Sequence, residues 1–419
     1  MIDQPRLLAD FPPLPGLIKQ HCEDFVVEEI PLYPASGEGT HTYFLIEKRG
    51  LSTMQAVQDI ARALNVRRRD IGYAGLKDAR AVTRQWLSVE HVPPETVRRL
   101  ELGGLRVLEA TRHGNKLRLG HLAGNRFVVK VRETEAGRLG ELRDALEHLC
   151  RVGVPNYFGQ QRFGGRGDAW EVGRAMVRGD ADLALDIMLG RPSAADRGAV
   201  LRARRLYEQG AYGAAARGWP GMFRDERRAL KSLQRTGGDK RRALLAVAAP
   251  LRRFYVAAYQ SHLFNCVVAR RLPAGLGRLL GGDLACVHRS GSVFQVGDAA
   301  LEQPRADAFE ISPTGPLFGY RMSWPAGEPG RMEAQLLAAE GLERDSFRRR
   351  GLRVKGGRRA LRFRPLEAKA EVGADGHGAY LELRFTLPSG CYATSLLREL
   401  FAGQSTRAKI AGSGREERS

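Results

Sequence analysis

A lysine and an aspartate lie side by side in a glycine-rich segment, GYAGLKDARAVTRQW, which runs from Gly72 to Trp86. The glycines give the backbone conformations that other residues rarely adopt, and the RQWLSV that follows is typical of a strand. We therefore expect Asp78 near a strand edge, beside Lys77 and Arg80. Neighbouring cations keep a carboxylate ionised, as a nucleophile or an electrostatic stabiliser requires. The alternative is a turn aspartate that binds its own backbone.

Two further segments have side chains suited to a nucleobase. In GNRF, Asn125 offers an amide and Phe127 a ring that could stack on a base, although core packing is the alternative for the ring. The segment PNYFGQQRFGG, residues 155–165, sets aromatic and polar side chains among glycines. This composition favours contacts with unpaired bases, or else a rigid aromatic turn between domains. Its candidate RNA-binding residues are Asn156, Tyr157, Phe158, Gln161 and Arg162.

Composition favours a polyanionic partner. The 419 residues are enough for two or three domains, and 67 Lys and Arg against 47 Asp and Glu give a net charge of +20. Nucleic acid is the leading candidate, and a general preference for arginine codons is the alternative. The five scattered cysteines form no C-x-x-C pair, and the sequence shows neither a signal peptide nor an apolar run of membrane-spanning length. These features predict a cytoplasmic protein without a membrane partner.

Several familiar catalytic sites are missing from the sequence. It has no G-x-x-x-x-G-K-[ST] loop, no G-x-S-x-G elbow, no H-E-x-x-H motif and no cluster of Cys and His. NTP hydrolysis, serine esterase chemistry and zinc catalysis therefore lack support. The glycine-rich stretches do not complete a dinucleotide fingerprint either. We expect no metal and no small-molecule cofactor.

Periodicity predicts the elements that position these residues. HTYFLIEK and NRFVVKVR are typical of strands, the second with Val128, Lys130 and Arg132 on a charged face. Between the two, STMQAVQDIARAL has helical spacing, and Ser52 with Gln55 predicts a capping box.

The rest of the chain changes character twice. Residues 176–250 are rich in Ala and Arg with helical periodicity, and residues 347–364 are a basic, glycine-interrupted stretch that we interpret as a linker or a loop facing nucleic acid. YLELRFTLP then alternates like a strand, a helix follows, and residues from about 404 look frayed. Strand and helix patterns at both ends around a helical middle favour one discontinuous domain with an insertion.

Several motifs together resemble the TruD family of tRNA pseudouridine synthases, from about residue 19 to 401. The similarity rests on EDFVVE at 23–28, G-x-G-x-H at 37–41, GLKDARA at 75–81, GNRF at 124–127, VPNYFG and QRFG at 154–164, QS and FN at 260–265, and YAT with LRE at 392–399.

The resemblance implies an α+β, V-shaped protein: a pseudouridine synthase catalytic domain with a central antiparallel sheet, interrupted by the family's insertion domain. We place the catalytic domain at 1–155 and 351–419 and the insertion at 156–350. The family isomerises uridine 13 of tRNA without cofactor or metal. By resemblance Asp78 is the catalytic aspartate, Phe127 the base-stacking ring and Asn125 its neighbouring amide, with Lys19 as a basic residue near the site.

Further roles complete this hypothesis. Lys77 is a second candidate for keeping the carboxylate ionised, and Arg398, in the LRE motif, is a candidate RNA contact. Basic stretches at 202–205, 240–242 and 348–364 could grip tRNA. We expect a monomer. The competing hypotheses are a non-catalytic RNA-binding protein, and an RNA methyltransferase, whose glycine-rich cofactor loop the sequence lacks.

Overall fold

The computed structural model describes residues 4–348 and 354–402, which form two compact units. The sheet unit comprises the described residues of 8–151 and 365–402, and the helical unit those of 4–7 and 152–364. The predicted insertion, 156–350, falls inside the range of the helical unit. Residues 354–364, which we assigned to the catalytic domain, also cluster with the helical unit. The predicted frayed tail lies outside the described residues.

The described residues contain sixteen strands and thirteen α-helices. The strands are β1 (Leu17–Ile18), β2 (Phe25–Pro31), β3 (His41–Arg49), β4 (Gly72–Tyr73), β5 (Val82–Glu90), β6 (Glu101–Leu102), β7 (Leu105–His113), β8 (Leu122–Arg132), β9 (Val154–Pro155), β10 (Leu284–Val287), β11 (Val293–Gln295), β12 (Ile311–Leu317), β13 (Gly357–Ala360), β14 (Arg362–Phe363), β15 (Leu366–Asp375) and β16 (Gly378–Pro388). The helices are α1 (Thr53–Ala63), α2 (Pro94–Arg98), α3 (Leu139–Val152), α4 (Ala169–Arg178), α5 (Ala181–Leu189), α6 (Gly198–Glu208), α7 (Tyr212–Gly218), α8 (Arg224–Arg235), α9 (Lys240–Ala246), α10 (Ala249–Arg271), α11 (Ala299–Asp307), α12 (Gly327–Ala339) and α13 (Ala393–Leu400).

A ten-stranded sheet dominates the sheet unit. Its order is β15-β16-β8-β2-β5-β3-β7-β6, with β1 beside β8 and β4 beside β5. Every pairing is antiparallel except β2 with β5, which is parallel. The predicted α+β class with a large central sheet is therefore confirmed.

The core of this unit forms where α1 and α2 cover one face of the sheet. Phe44 and Ile46 of β3 and Leu87 of β5 pack against Val57 and Ile60 of α1, and all five are buried. The two-residue period of the strands and the 3.6-residue period of α1 bring these side chains to one layer. The same face of the sheet carries the polar residues described below.

Local sequence signals located most of these elements. The predicted strands correspond to β3, β5, β8 and β16, and Ser52 caps α1 by accepting a hydrogen bond from the Gln55 N–H at 3.1 Å. The reciprocal half of the capping box is wrong, because the Gln55 side chain binds Asp59 at 2.9 Å instead.

Arg132 lies on the predicted charged face of β8 but is not exposed to solvent. Its guanidinium is buried and donates hydrogen bonds to Asp24 at 2.6 Å and Asp375 at 2.8 Å. These carboxylates come from distant parts of the chain, and they pair the charge that burial would otherwise make costly.

The helical unit contains α4 to α12, a four-stranded sheet of order β11-β10-β12-β13, and the β14–β9 pair. The prediction of helices over 176–250 is confirmed. The prediction of a linker or loop over 347–364 is wrong for residues 357–360 and 362–363, since they form β13 and β14. Arg358 of β13 shows why the charge suggested a loop: its side chain is only 4% exposed and binds Glu333 at 2.8 Å. Among the described residues, no helix is both long and apolar enough to cross a bilayer.

Candidate active site

Asp78 lies in the loop between β4 and β5, with its side chain about one quarter exposed. Its carboxylate forms an ion pair with Lys19 and accepts a hydrogen bond from the Arg80 N–H at 3.0 Å. Burial acts to raise the pKa of this carboxyl, but the Lys19 ammonium, the Arg80 N–H and the Lys48 charge together hold the pKa below its usual range. Asp78 is therefore ionised at neutral pH.

Lys19 follows β1 directly and has a left-handed backbone, with φ of 60°. Few residues other than glycine adopt this conformation. The Lys19 ammonium contacts Asp78 and also lies 4.1 Å from the centroid of the Phe25 ring at the start of β2. The pairing of β1 with β8 thus brings a cation from the N-terminal segment to the carboxylate.

Lys77 connects two further residues of the site. Its ammonium lies 2.7 Å from Glu29 Oε2 and 2.5 Å from Asn125 Oδ1. The Lys77 and Glu29 side chains are both almost inaccessible. Burial raises the pKa of Glu29, and Lys77 partly offsets that rise. Lys77 therefore neutralises a buried carboxylate and fixes the Asn125 amide, while Lys19 pairs with Asp78.

Sequence reasoning missed Glu29. Phe25, Val27 and Glu29 alternate along β2, so all three point to the same, buried face. A carboxylate at a core position of an alternating strand needs a partner, and that requirement was the available signal.

Phe127 lies on the same face of β8, paired in register with Val27 and Phe385. Its ring packs against the edge of Phe25, with centroids 6.0 Å apart, and stacks on Phe385 at 5.2 Å. Only 8% of the residue is exposed. Phe25 thus links Phe127 to Lys19, and Phe127 forms part of the apolar side of the site.

Three of the remaining candidates pack inside their own unit of the fold. Asn156, Tyr157 and Phe158 are buried in the helical unit. Asn156 Nδ2 donates to the Ala360 carbonyl at 2.9 Å, and Asn265 accepts from the Phe158 N–H at 2.8 Å. A ring buried in this way cannot stack on a base without a rearrangement.

Three more candidates are at least partly accessible. Gln161 is exposed, and Arg162 Nε donates to Ser261 Oγ at 3.1 Å. Arg398 is half-buried on α13 of the sheet unit.

Part of the predicted basic surface has internal partners. Arg204 is buried beside Asp196 at 3.3 Å, and Lys240 binds Asp186 at 2.8 Å. Arg362 is buried as well. The basic stretches at 202–205, 240–242 and 354–364 therefore offer fewer cations to RNA than their composition suggested.

The large sheet with helices packed against one face is an α+β fold, and the comparisons with known proteins identify it as that of a pseudouridine synthase. The family model described as tRNA pseudouridine synthase D (TruD) matches residues 1–400. The chain belongs to this family, whose members are isomerases.

Individual relatives agree with this assignment. The chain is 48% identical over 398 residues to tRNA pseudouridine synthase D of Geobacter metallireducens, covering 95% of this chain and 97% of the relative. It is 46% identical over 399 residues to that of Geobacter sulfurreducens, with the same coverages. The crystal structure of the putative tRNA pseudouridine synthase D of Methanosarcina mazei is similar, with a TM-score of 0.79, 28% identity and 94% of each chain covered.

Proposed function

We propose that this protein converts uridine 13 of tRNA to pseudouridine, with Asp78 as the catalytic carboxylate and without a cofactor. The observation that carries this proposal is the ion pair between Asp78 and Lys19, on the sheet face that also holds Lys77, Asn125 and Phe127. The names of the relatives supply the substrate class. The position in tRNA comes from the family resemblance in the motifs.

The reaction requires little more than these groups. The bond between uracil N1 and the sugar C1′ breaks, the base turns, a bond between C5 and C1′ forms, the C5 proton leaves, and N1 takes up a proton. Atoms are rearranged without net oxidation or hydrolysis. An ionised Asp78 can act as a nucleophile at the sugar or as a base that removes a sugar proton.

The neighbouring side chains have distinct roles in this proposal. Lys19 keeps Asp78 ionised through the ion pair. Lys77 holds Asn125 by its amide oxygen, which leaves the amide NH₂ to donate to a uracil carbonyl. Phe127 and Phe25 supply an apolar wall for the detached base.

The target base must leave its stack, at a cost of a few kcal/mol. The net charge of +20 favours phosphate contacts that offset this cost. We propose a monomer as the active state. The scattered cysteines of the sequence, which form no C-x-x-C pair, support a cytoplasmic location.

Tritium release tests the proposal directly. Unmodified tRNA carrying tritium at uridine C5 is incubated with the wild type, Asp78→Asn, Asp78→Ala and a matched control, Asp59→Asn, whose carboxylate lies on α1. We expect release by the wild type and Asp59→Asn, and at least about a 1,000-fold slower rate in both Asp78 variants with RNA affinity retained. Binding of tRNA without release by the wild type would instead favour a non-catalytic RNA-binding protein.

A further inference from the structure

The backbone of the Asp78 loop is held by buried side chains that come from outside the loop. Lys48 Nζ donates to the Asp78 carbonyl at 3.1 Å and to the Leu51 carbonyl at 2.5 Å. One residue earlier, the Lys77 N–H donates to Thr53 Oγ1 at 2.9 Å. Two consecutive residues of the loop are thus bound through their main chain, independently of the contacts that their side chains make.

A third side chain closes this arrangement. The Thr53 hydroxyl donates to Gln85 Oε1 at 2.8 Å, and Gln85 Nε2 donates to the Gly75 carbonyl at 3.1 Å. The series of hydrogen bonds therefore starts at the Lys77 N–H and returns to the same loop at Gly75. Lys48, Thr53 and Gln85 are at most 2% exposed, so they do not reach an RNA substrate in this conformation.

These three residues lie on rigid elements. Lys48 is on β3 and pairs in register with Thr83, while Gln85, two residues further along β5, points to the same face. Thr53 is the first residue of α1, directly after the Ser52 cap. Groups held by strands and helices position a site more accurately than groups on loops do.

We propose that Lys48 and the Thr53–Gln85 pair are positioning residues, which hold the Asp78 backbone where the carboxylate meets the target nucleoside. This inference rests on the proposed function, because it assigns the residues a role in the same reaction. Displacement of a reacting group by about 1 Å can lower a rate about 100-fold. Removal of these bonds should therefore slow the reaction without weakening RNA binding.

Lys48 also makes the arrangement sensitive to pH. Burial lowers the pKa of Lys48 to about 8, although the nearby Asp78 carboxylate opposes this effect; the Lys77 ammonium lowers the pKa further. The charged form donates stronger hydrogen bonds and favours the ionised Asp78. As the pH rises through about 8, Lys48 loses its proton, so the wild-type rate should decline there.

The experiment compares Lys48→Met, Thr53→Val and Thr53→Ser with the wild type. Lys130→Met is the matched control, because Lys130 is a partly buried lysine of the same sheet that pairs with Asp375 at 2.9 Å. Single-turnover rates of pseudouridine formation are measured at saturating tRNA from pH 6 to 9.5, with the Kd for tRNA measured separately.

We expect Lys48→Met to be about 10- to 100-fold slower at pH 7, with a Kd within about twofold of the wild type and no decline near pH 8. Thr53→Val should also be slower, and Thr53→Ser should recover most of the rate because it keeps the hydroxyl. Lys130→Met should behave like the wild type.

The outcomes separate this inference from the proposed function. An inactive wild type would overturn both. If the wild type is active and Lys48→Met and Thr53→Val react at wild-type rates, the positioning role alone is overturned. The same holds if these variants lose tRNA affinity in parallel with rate. If Lys48→Met does not fold, Thr53→Val and Thr53→Ser decide the question. Equal rates in these two variants would contradict the positioning role.

Discussion

The ammonium of Lys19 and the carboxylate of Asp78 form an ion pair between two segments that are 59 residues apart in the chain. The pair is partly shielded, with side-chain exposures of 14% and 28%. It joins the turn after β1 to the loop before β5 and favours the ionised form of the aspartate. The proposed chemistry therefore depends on a cation supplied from outside the glycine-rich segment.

Replacement of Lys19 should shift the pH dependence of the reaction. Without this cation, the effect of burial on Asp78 is opposed only by the Arg80 N–H and the Lys48 charge, so the pKa of Asp78 rises. The reaction needs the ionised form, which is lost as the pH falls through that pKa. In Lys19→Met we therefore expect the acid limb of kcat/KM to move to higher pH, as measured from pH 4 to 8.

Lys19→Arg is the control for this prediction. A guanidinium keeps the positive charge near the carboxylate, so its acid limb should stay closer to that of the wild type. An acid limb at the same pH in Lys19→Met would show that Asp78 is not the group that titrates.

The Lys77–Glu29 pair should contribute to stability in a pH-dependent manner. Lys77→Met leaves the Glu29 carboxylate buried without its cation, which typically costs about 3–5 kcal/mol of unfolding free energy. Burial already raises the folded pKa of Glu29 above its usual value of 4.5, and the pKa should rise further without Lys77. A raised carboxyl pKa favours folding below pH 4.5, and that contribution is lost as the pH rises through the folded pKa. The variant should therefore be less destabilised at pH 5 than at pH 8 in urea unfolding.

The double variant Lys77→Met/Glu29→Leu tests the cause. Removal of both charges should recover much of the stability, because no unpaired carboxylate remains. Equal losses at pH 5 and pH 8 in the single variant would mean that the ionisation of Glu29 does not determine the effect.

Periodicity predicted the elements well where one side of a strand or helix faces the core. The alternation along β8 and β16 reflects burial of one face, which local sequence records directly. Arg132 shows the limit of this approach. Its partners Asp24 and Asp375 are 108 and 243 residues away, so only the folded sheet reveals that the guanidinium is buried.

Only part of the site could be predicted from the sequence. Motif resemblance selected Asp78, Asn125 and Lys19, whereas Glu29 and Lys48 look from sequence like ordinary charged residues of a strand. Their burial depends on which face α1 and the Asp78 loop cover. Local composition also cannot distinguish an exposed aromatic residue from a buried one. Tyr157 is an example, because its segment suggested contact with RNA but the residue is buried.

Ser52 caps the N-terminus of α1, and a substitution there tests how much this cap contributes to stability. Ser52→Ala removes the acceptor for the Gln55 N–H and should lower the unfolding free energy by about 1 kcal/mol. Gln55→Ala is the comparison, since the Gln55 side chain binds Asp59 and not the backbone of Ser52. We expect a smaller loss for Gln55→Ala in urea unfolding. An equal or larger loss of unfolding free energy in Gln55→Ala would support the full capping box.

Phe158 separates a core role from a role in RNA binding. The residue is 6% exposed, its ring meets the edge of Phe264 with centroids 5.5 Å apart, and the Arg359 guanidinium lies 4.3 Å from its centroid. Phe158→Leu keeps much of the apolar volume but loses these aromatic contacts. We expect a loss of about 1–3 kcal/mol in unfolding free energy and an unchanged Kd for tRNA.

The exposed Gln161, three residues further along, provides the matched comparison for Phe158. Gln161→Ala removes an accessible amide from the same segment and should leave stability within about 0.5 kcal/mol of the wild type. Any contact of this segment with tRNA would then appear as weaker binding in Gln161→Ala, with Phe158→Leu unaffected. If Phe158→Leu instead weakens tRNA binding about tenfold at unchanged stability, its ring must become accessible in the complex, and the predicted stacking on an unpaired base would regain support.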